Sequence, residues 1–252
     1  MYAPAVSNTS VKTAFAGYSP STRCKDGRHP AVITSLQRKA QGEIVFTEGD
    51  EANSVYEIVS GMIRLVKLLP DGRRQITGFC ASGHLLGLAP EGVHVYTAEA
   101  ITEVTLCRYG RAAFERLIEE TPSFAKQLLA VTSHELSANQ DQMLLLGRKT
   151  AMERVASFFL RLAERHAGGD ADCLDIPMTR YDIADYLGLT VETVSRTFTK
   201  LKQDGLIELL APTRIMIRDR GQLEELAIGS ADSPFSELLP AGKTKKHSEK
   251  HL

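Results

Sequence analysis

The 252-residue chain has no apolar run approaching the roughly 18 to 20 residues that a bilayer span requires, and its start lacks a basic stretch followed by an apolar core. Both absences predict a cytosolic protein without a membrane partner. It also lacks paired cysteines: Cys24, Cys80, Cys107 and Cys173 are widely separated and form no Cys-x-x-Cys, which argues against the common zinc and dithiol motifs and predicts reduced thiols. An excess of charge of either sign is missing as well. A formal net charge of -1 leaves nucleic-acid binding to be decided by where Lys and Arg cluster. Collagen-like repeats and bulk low complexity are absent, so disorder is expected only at the ends, in a flexible extension over 1–30 and a flexible basic tail over 229–252.

What the chain does contain changes character twice. From about Lys39 to Tyr109 it is built of short runs rich in Val, Ile, Tyr, Phe and Thr, such as "EIVFTEGD" and "HVYTAEAITEVTLCRY", punctuated by Gly49, Gly61, Gly83 and Gly87. This predicts a small antiparallel roll or barrel within 31–121. Asp71-Gly72 marks a hairpin tip and predicts a tight primed turn. Helical period takes over from about Arg111. After Pro122, Ala125, Leu129, Thr132, Leu136, Asn139, Met143 and Leu146 recur at alternating spacings of three and four, the pattern of a coiled-coil seam. Residues 122–147 are therefore expected to form a long helix that pairs with its copy in a homodimer. Packing on its own domain is the competing expectation for that helix. A lone amide such as Asn139 sets register and partner number in a seam, and it avoids the repulsion of two facing carboxylates.

A further helix, "TAMERVASFFLRLAERHA", carries Met152, Val155, Phe159 and Leu162 on one stripe and is expected to stop before Gly168-Gly169. "GGDADCLDIP" follows as a predicted loop that makes Cys173 the more accessible thiol and a possible redox residue. Then "MTRYDIADYLGLTVETVSRTFTKLKQDGLIEL" reads as two short helices around a tight turn. Thr179 and Asp182 form a variant capping box, Gly188 supplies the left-handed turn, and Thr190 caps the second helix. The buried faces are Ile183, Ala184 and Leu187 on the first helix and Val194, Phe198 and Leu201 on the second. Such a pair has the form of a DNA-binding helix-turn-helix, whose second helix enters the major groove N-terminus first.

Glu192, Ser195 and Arg196 are spaced i, i+3 and i+4, so they share the early, outward side of that second helix. Arg196 has the donors to meet guanine O6 and N7, Glu192 can accept from the cytosine amino group, and Ser195 suits a base edge or a phosphate. On a bare helix the same spacing would be an ordinary exposed ion pair; the surrounding motif favours base reading. Thr190, Thr193, Lys200, Lys202 and Arg214 are the weaker candidates for the DNA backbone. "LIELLAPTRIMIRDR" alternates like a two-stranded wing around Pro212, which makes 148–228 a winged helix-turn-helix.

Over roughly 39 to 220 the chain resembles the CRP/FNR family of transcription regulators, and within it the FNR and FixK branch. The resemblance is carried by "EGD", "SGMIRL", "RRQITGF", "NQDQMLLL", "RKTAMERVASF" and above all "MTRYDIADYLGLTVETVSR". It implies an α+β fold with an N-terminal antiparallel β-roll of the cyclic-nucleotide-binding kind, a long dimerisation helix and a C-terminal winged helix-turn-helix. The Glu-x-x-Ser-Arg motif implies a TTGAT-type inverted repeat in double-stranded DNA, and activation implies contact with RNA polymerase, for which the hairpin at Asp71 to Arg73 is a candidate surface. Two departures from the family pattern bear on cofactors. Cys24 and Cys107 alone cannot complete a four-cysteine cluster. "GHLLGLAPEGVHVYTAEA" has Leu88 after Gly87 and no arginine, so a cyclic phosphate loses its bidentate partner.

The expectation is thus a FixK-like regulator, mainly an activator, without cofactor or metal, acting in the cytoplasm on genes of microaerobic respiration or nitrogen fixation. An effector-gated regulator answering to an unidentified small molecule or redox signal is the alternative. A metal-dependent enzyme on a cupin-like roll would need a convergent histidine cluster, and the roll contains only His84 and His94. No enzyme activity is expected.

Overall fold

In the computed structural model, residues 33–89, 91–165 and 172–229 are described. Cys24, the stop at Gly168-Gly169 and the two expected flexible ends, apart from Gly229, lie outside them. The first half is a roll of two four-stranded antiparallel sheets. One has the order β1 (Ile33–Lys39), β8 (Val104–Gly110), β3 (Ser54–Ser60), β6 (Leu85–Leu86). The other runs β2 (Ile44–Phe46), β7 (Thr97–Ala100), β4 (Met62–Leu68), β5 (Arg74–Ala81). Alternating residues of the two sheets, among them Ile58, Ile63, Leu86, Ala98 and Leu106, meet in an apolar core. Cys80 and Cys107 are buried in strands, as their apolar runs predict.

Three details of the roll depart from expectation. Strand β1 precedes the first run read as a strand; its residues 35–39 are half-buried or exposed, so it carries no inward apolar period and is held by its ladder to β8. The hairpin between β4 and β5 is not a two-residue primed turn. Its Gly72 N–H bonds to Leu69 O at 2.9 Å, and Gly72 alone takes a positive φ. Pro70 at the second position rules out the primed form, because its ring holds φ near −65°. Gly61, between β3 and β4, has a φ of 89°, and a Cβ there would come 2.2 Å from the carbonyl oxygen of Glu103.

The roll leads into α1 (Arg111–Glu120) and then α2 (Pro122–Arg148), which starts with its proline where a missing N–H is harmless. The inner face of α2 places Phe124 and Val131 against Val55, Tyr109 and Phe114 of the roll and α1. Its other face carries Leu129, Thr132, Leu136, Asn139 and Met143, all exposed to solvent. Leu146 departs from this seam: it is half-buried against the core of the C-terminal unit, where the helix reaches that unit.

The C-terminal unit comprises α3 (Ala151–Arg165), β9 (Cys173–Asp175), α4 (Arg180–Leu187), α5 (Val191–Gln203), β10 (Ile207–Ala211), β11 (Arg214–Ile217) and α6 (Arg220–Ile228). Cys173 lies in a strand and not in the predicted loop. β11 supplies a full antiparallel partner for it, so the wing has three strands in the order β10-β11-β9. A run of three residues is too short for a period-2 signal to declare itself. Val155, Phe159 and Leu162 of α3 form the centre of a core that includes Ile183, Ala184 and Leu187 of α4 and Val194, Phe198 and Leu201 of α5. The same core takes in Phe79 of the roll, whose ring lies 5.0 Å from that of Tyr186.

Arg154 joins α2 to the turn between α4 and α5. Its guanidinium donates to Leu146 O, Lys149 O and Leu187 O, each at 2.9 Å, and to Gly188 O at 3.4 Å. Replacing it with Met leaves these carbonyls without their donor and is expected to cost about 2–3 kcal/mol, read from the denaturant midpoint; Arg154→Lys should recover only part, since an ammonium lacks the fork that reaches both helix ends. Gly61→Ala should likewise destabilise, by about 1–3 kcal/mol, and by clearly more than Gly49→Ala, where φ is 88° but nothing lies within 4 Å.

Candidate nucleic-acid interface

The second helix of the pair is built by local chemistry. Thr179 caps α4: its hydroxyl accepts from Asp182 N–H at 3.1 Å, and Asp182 accepts in return from Thr179 N–H at 3.0 Å, completing the capping box. α4 ends at Gly188, in the left-handed conformation with φ 62° and ψ 43°. Thr190 then caps α5 by accepting from Thr193 N–H at 3.2 Å. Val194, Phe198 and Leu201 bury the inner face. On the outer face Glu192, Ser195 and Arg196 are all exposed, and they emerge together from the first two turns. The predicted base-reading trio therefore shares one accessible face.

The Glu192 carboxyl is held below its ordinary value, first by its own backbone N–H, then by the Thr190 hydroxyl, with the Arg196 cation a smaller influence. The helix start, more than the arginine, favours its charged form. Arg180, at the first position of α4, stacks over the Phe198 ring with its guanidinium carbon 3.4 Å from the centroid, and burial lowers its pKa. That cation–π contact ties α4 to α5. Nothing in the sequence period marks it, because the two residues are on different helices.

The backbone candidates differ in availability. Lys202 is exposed. Lys200 is paired with Asp204 at 2.8 Å, and Arg214 donates to both carboxylate oxygens of Asp175, at 2.8 and 3.3 Å. Thr190 and Thr193 hold one another at 3.0 Å through their hydroxyls. Cys173 is half-buried in the wing, its Cα opposite that of Met216. Sequence reading found Asp182 only as a capping residue and passed over Asp175; their arginine partners come from strands distant in the chain.

In the roll, the stretch that matches the family's phosphate pocket is tied to its neighbouring strands. The rings of Phe46 and buried His94 stack 3.7 Å apart. A Cβ on Gly87 would come 2.7 Å from Ser54 O, and Arg111 donates to the carbonyls of Ala52 and of Gly87, the latter at 2.6 Å. These residues do not fit a cyclic phosphate, which needs a free guanidinium facing the pocket. Among the described residues, no group of three His, Cys, Asp or Glu is placed to hold a metal ion, and no helix is long and apolar enough to cross a membrane.

Comparison with known proteins agrees with this geometry. A Crp-like helix-turn-helix domain matches residues 153–226 and a cyclic nucleotide-binding domain matches residues 36–121. The chain is 47% identical over 190 residues to the nitrogen fixation regulation protein FixK of Bradyrhizobium diazoefficiens, covering 75% of this chain and 80% of that one. It is 46% identical over 206 residues to the transcriptional activatory protein AadR of Rhodopseudomonas palustris, covering 79% and 86%. The solved structure of FixK2 from Bradyrhizobium japonicum superposes with a TM-score of 0.72 at 40% identity, covering 76% of this chain and 96% of that one. These relatives are regulators of transcription and not enzymes. A roll, a long helix and a capped helix-turn-helix in this order, matched along most of the chain by such relatives, place the protein in the CRP/FNR family of transcription regulators, in its FixK branch.

Proposed function

We propose that the protein binds a TTGAT-N4-ATCAA-type palindrome as a homodimer, without an effector, and acts in the cytoplasm, mainly as an activator of genes for microaerobic respiration or nitrogen fixation. The observation that carries this reading is the joint exposure of Glu192, Ser195 and Arg196 at the start of a helix capped by Thr190. Arg196 donates to guanine, Glu192 accepts from the paired cytosine, and Ser195 meets a neighbouring base or phosphate. Glu192 lies against a polyanion and so rejects sites that offer it no donor. Thr190, Thr193 and Lys202 contact the backbone directly. Lys200 and Arg214 exchange their carboxylate partners for phosphate, a small cost because both pairs are solvent-exposed.

The physiological assignment rests on the likeness to FixK proteins, which are nitrogen fixation regulators by name. Dimerisation rests on Leu129, Leu136 and Met143, which are between 60% and 68% exposed in the single chain and lie in one seam with Thr132 and Asn139. Contact with RNA polymerase is assigned to the exposed hairpin tip, where Asp71 and Arg73 are held to each other at 2.7 Å. The commitment of Arg111 to the carbonyls of Ala52 and Gly87 supports a reading without cyclic-nucleotide gating.

Fluorescence anisotropy with reduced protein at fixed salt tests the reading. Binding to the palindrome should weaken by about 1–3 kcal/mol per half-site when its G·C pair is swapped, and Arg196→Gln should abolish that preference. Weak and indifferent binding to both duplexes would overturn ligand-independent recognition. Lys202→Gln should leave the preference intact while lowering the slope of log affinity against log salt by about one. Size-exclusion mass measurement should find a dimer at micromolar concentration for the unmodified protein and a monomer for Leu136→Glu, since a carboxylate in the seam would face its own copy.

A further inference from the structure

The side chain of Asp182 is 1% exposed, yet it carries a carboxylate that two elements far apart in the chain both use. Its Oδ2 accepts from the Thr179 N–H at 3.0 Å and from the Thr179 hydroxyl at 2.7 Å, as the capping box of α4 requires. Its Oδ1 points the other way, into the roll, where it accepts from Arg64 at 2.8 Å and from Arg74 at 3.1 Å. Those arginines stand on adjacent strands, β4 and β5. Each is held in turn by a second carboxylate: Arg64 by Glu99 of β7, through two hydrogen bonds, and Arg74 by Asp185 of α4 at 2.8 Å. Gln75 adds a bond from its amide to the backbone oxygen of Asp185 at 2.5 Å.

Capping α4 does not need this arrangement. An N3 carboxylate ordinarily faces water and bonds only to its own cap. Here the same group is buried, and the two cations bonded to it are side chains of the other domain. A buried carboxylate deprived of its cationic partners would be strongly unfavourable, so separation of α4 from the roll is opposed by more than the loss of ordinary contacts. The cluster is also directional: two planar guanidinium forks on neighbouring strands meet one carboxylate, which fixes orientation as well as distance. Beside it, the Phe79, Phe158 and Tyr186 rings close the same junction with apolar contact.

We infer that Arg64 and Arg74 are positioning residues for DNA recognition: through Asp182 they clamp the helix-turn-helix to the roll in the orientation that leaves Glu192, Ser195 and Arg196 exposed. The roll thereby supplies, from its own side chains, the orienting contact that would otherwise have to come from a bound effector. Neither arginine touches DNA in this scheme. The inference rests on the reading of α5 as the base-reading helix, and it adds a cause for ligand independence.

The test uses the full-length protein with Arg64→Gln/Arg74→Gln, the milder Arg74→Gln alone, and Lys67→Gln as a control in the same hairpin, where the side chain is 44% exposed and pairs with Glu48. Amide hydrogen exchange across α4 and affinity for the palindrome over a range of salt are measured together. The clamp predicts faster exchange in α4 for both test variants and not for the control. It also predicts about tenfold weaker binding, with an unchanged salt slope and an unchanged preference for the correct G·C pair. Exchange in α4 that stays at the unmodified level would overturn the clamp. Faster exchange with equal or tighter binding would also overturn it, because the contact would then be a restraint. A salt slope lowered by about one would make the arginine a direct phosphate contact instead. Should the unmodified protein itself fail to bind the palindrome, ligand-independent recognition has failed, while exchange in α4 still decides whether the clamp exists.

Discussion

Arg154 stands where the last turn of α2 and the last turn of α4 converge, and the placing of α5 depends on it. Both helix ends present carbonyl groups with no partner inside their own helix, and both carry the negative pole of the helix dipole. One guanidinium answers both, through bonds to Leu146, Lys149, Leu187 and Gly188. The turn at Gly188 decides where α5 begins, so a contact that holds this turn against the end of α2 also sets how the outer face of α5 sits relative to that helix. Leu146 is drawn out of the seam by the same geometry and packs within reach of Gly188.

Around that joint the protein is held by two different kinds of force. The aromatic cluster of Phe79, Phe158 and Tyr186 makes the contact between roll and helix-turn-helix favourable without specifying an angle, since apolar burial is nondirectional. The bonds of Arg161 to Gln142 and to the Tyr186 hydroxyl, at 2.9 and 3.0 Å, and those of Arg64 and Arg74 to Asp182, supply the direction. The outer face of α5, with Glu192, Ser195 and Arg196, is exposed. Its residues are oriented by the helix cap and by the apolar stripe behind them, which leaves their outward groups available to base edges.

Much of this was legible beforehand, for reasons that differ from element to element. The caps at Thr179 and Thr190 and the turn at Gly188 are local, set by residues within four positions, and each forms where its residue types predict. The buried stripes of α4 and α5 follow from helical period and are found as read. Strands β1 and β9 were missed for the opposite reason. β1 pairs along its backbone while residues 35–39 stay out of the core, and β9 is three residues held by β11, so neither leaves a periodic trace. The primed turn at Asp71-Gly72 failed on a local conflict, because Pro70 favours the unprimed form.

By itself, then, the sequence determined the kind of machine: a roll of short strands, a long helix with an apolar seam, and a capped helix pair whose outer face carries Glu192, Ser195 and Arg196. These depend on interactions between near neighbours, where spacing is contact. Only the tertiary structure decided which distant groups meet. Asp182 and Arg64 are 118 residues apart, and Arg214 meets Asp175 from 39 residues away. The pairing of such charges follows from how the roll and the helix-turn-helix are packed, and no pattern along either segment encodes it.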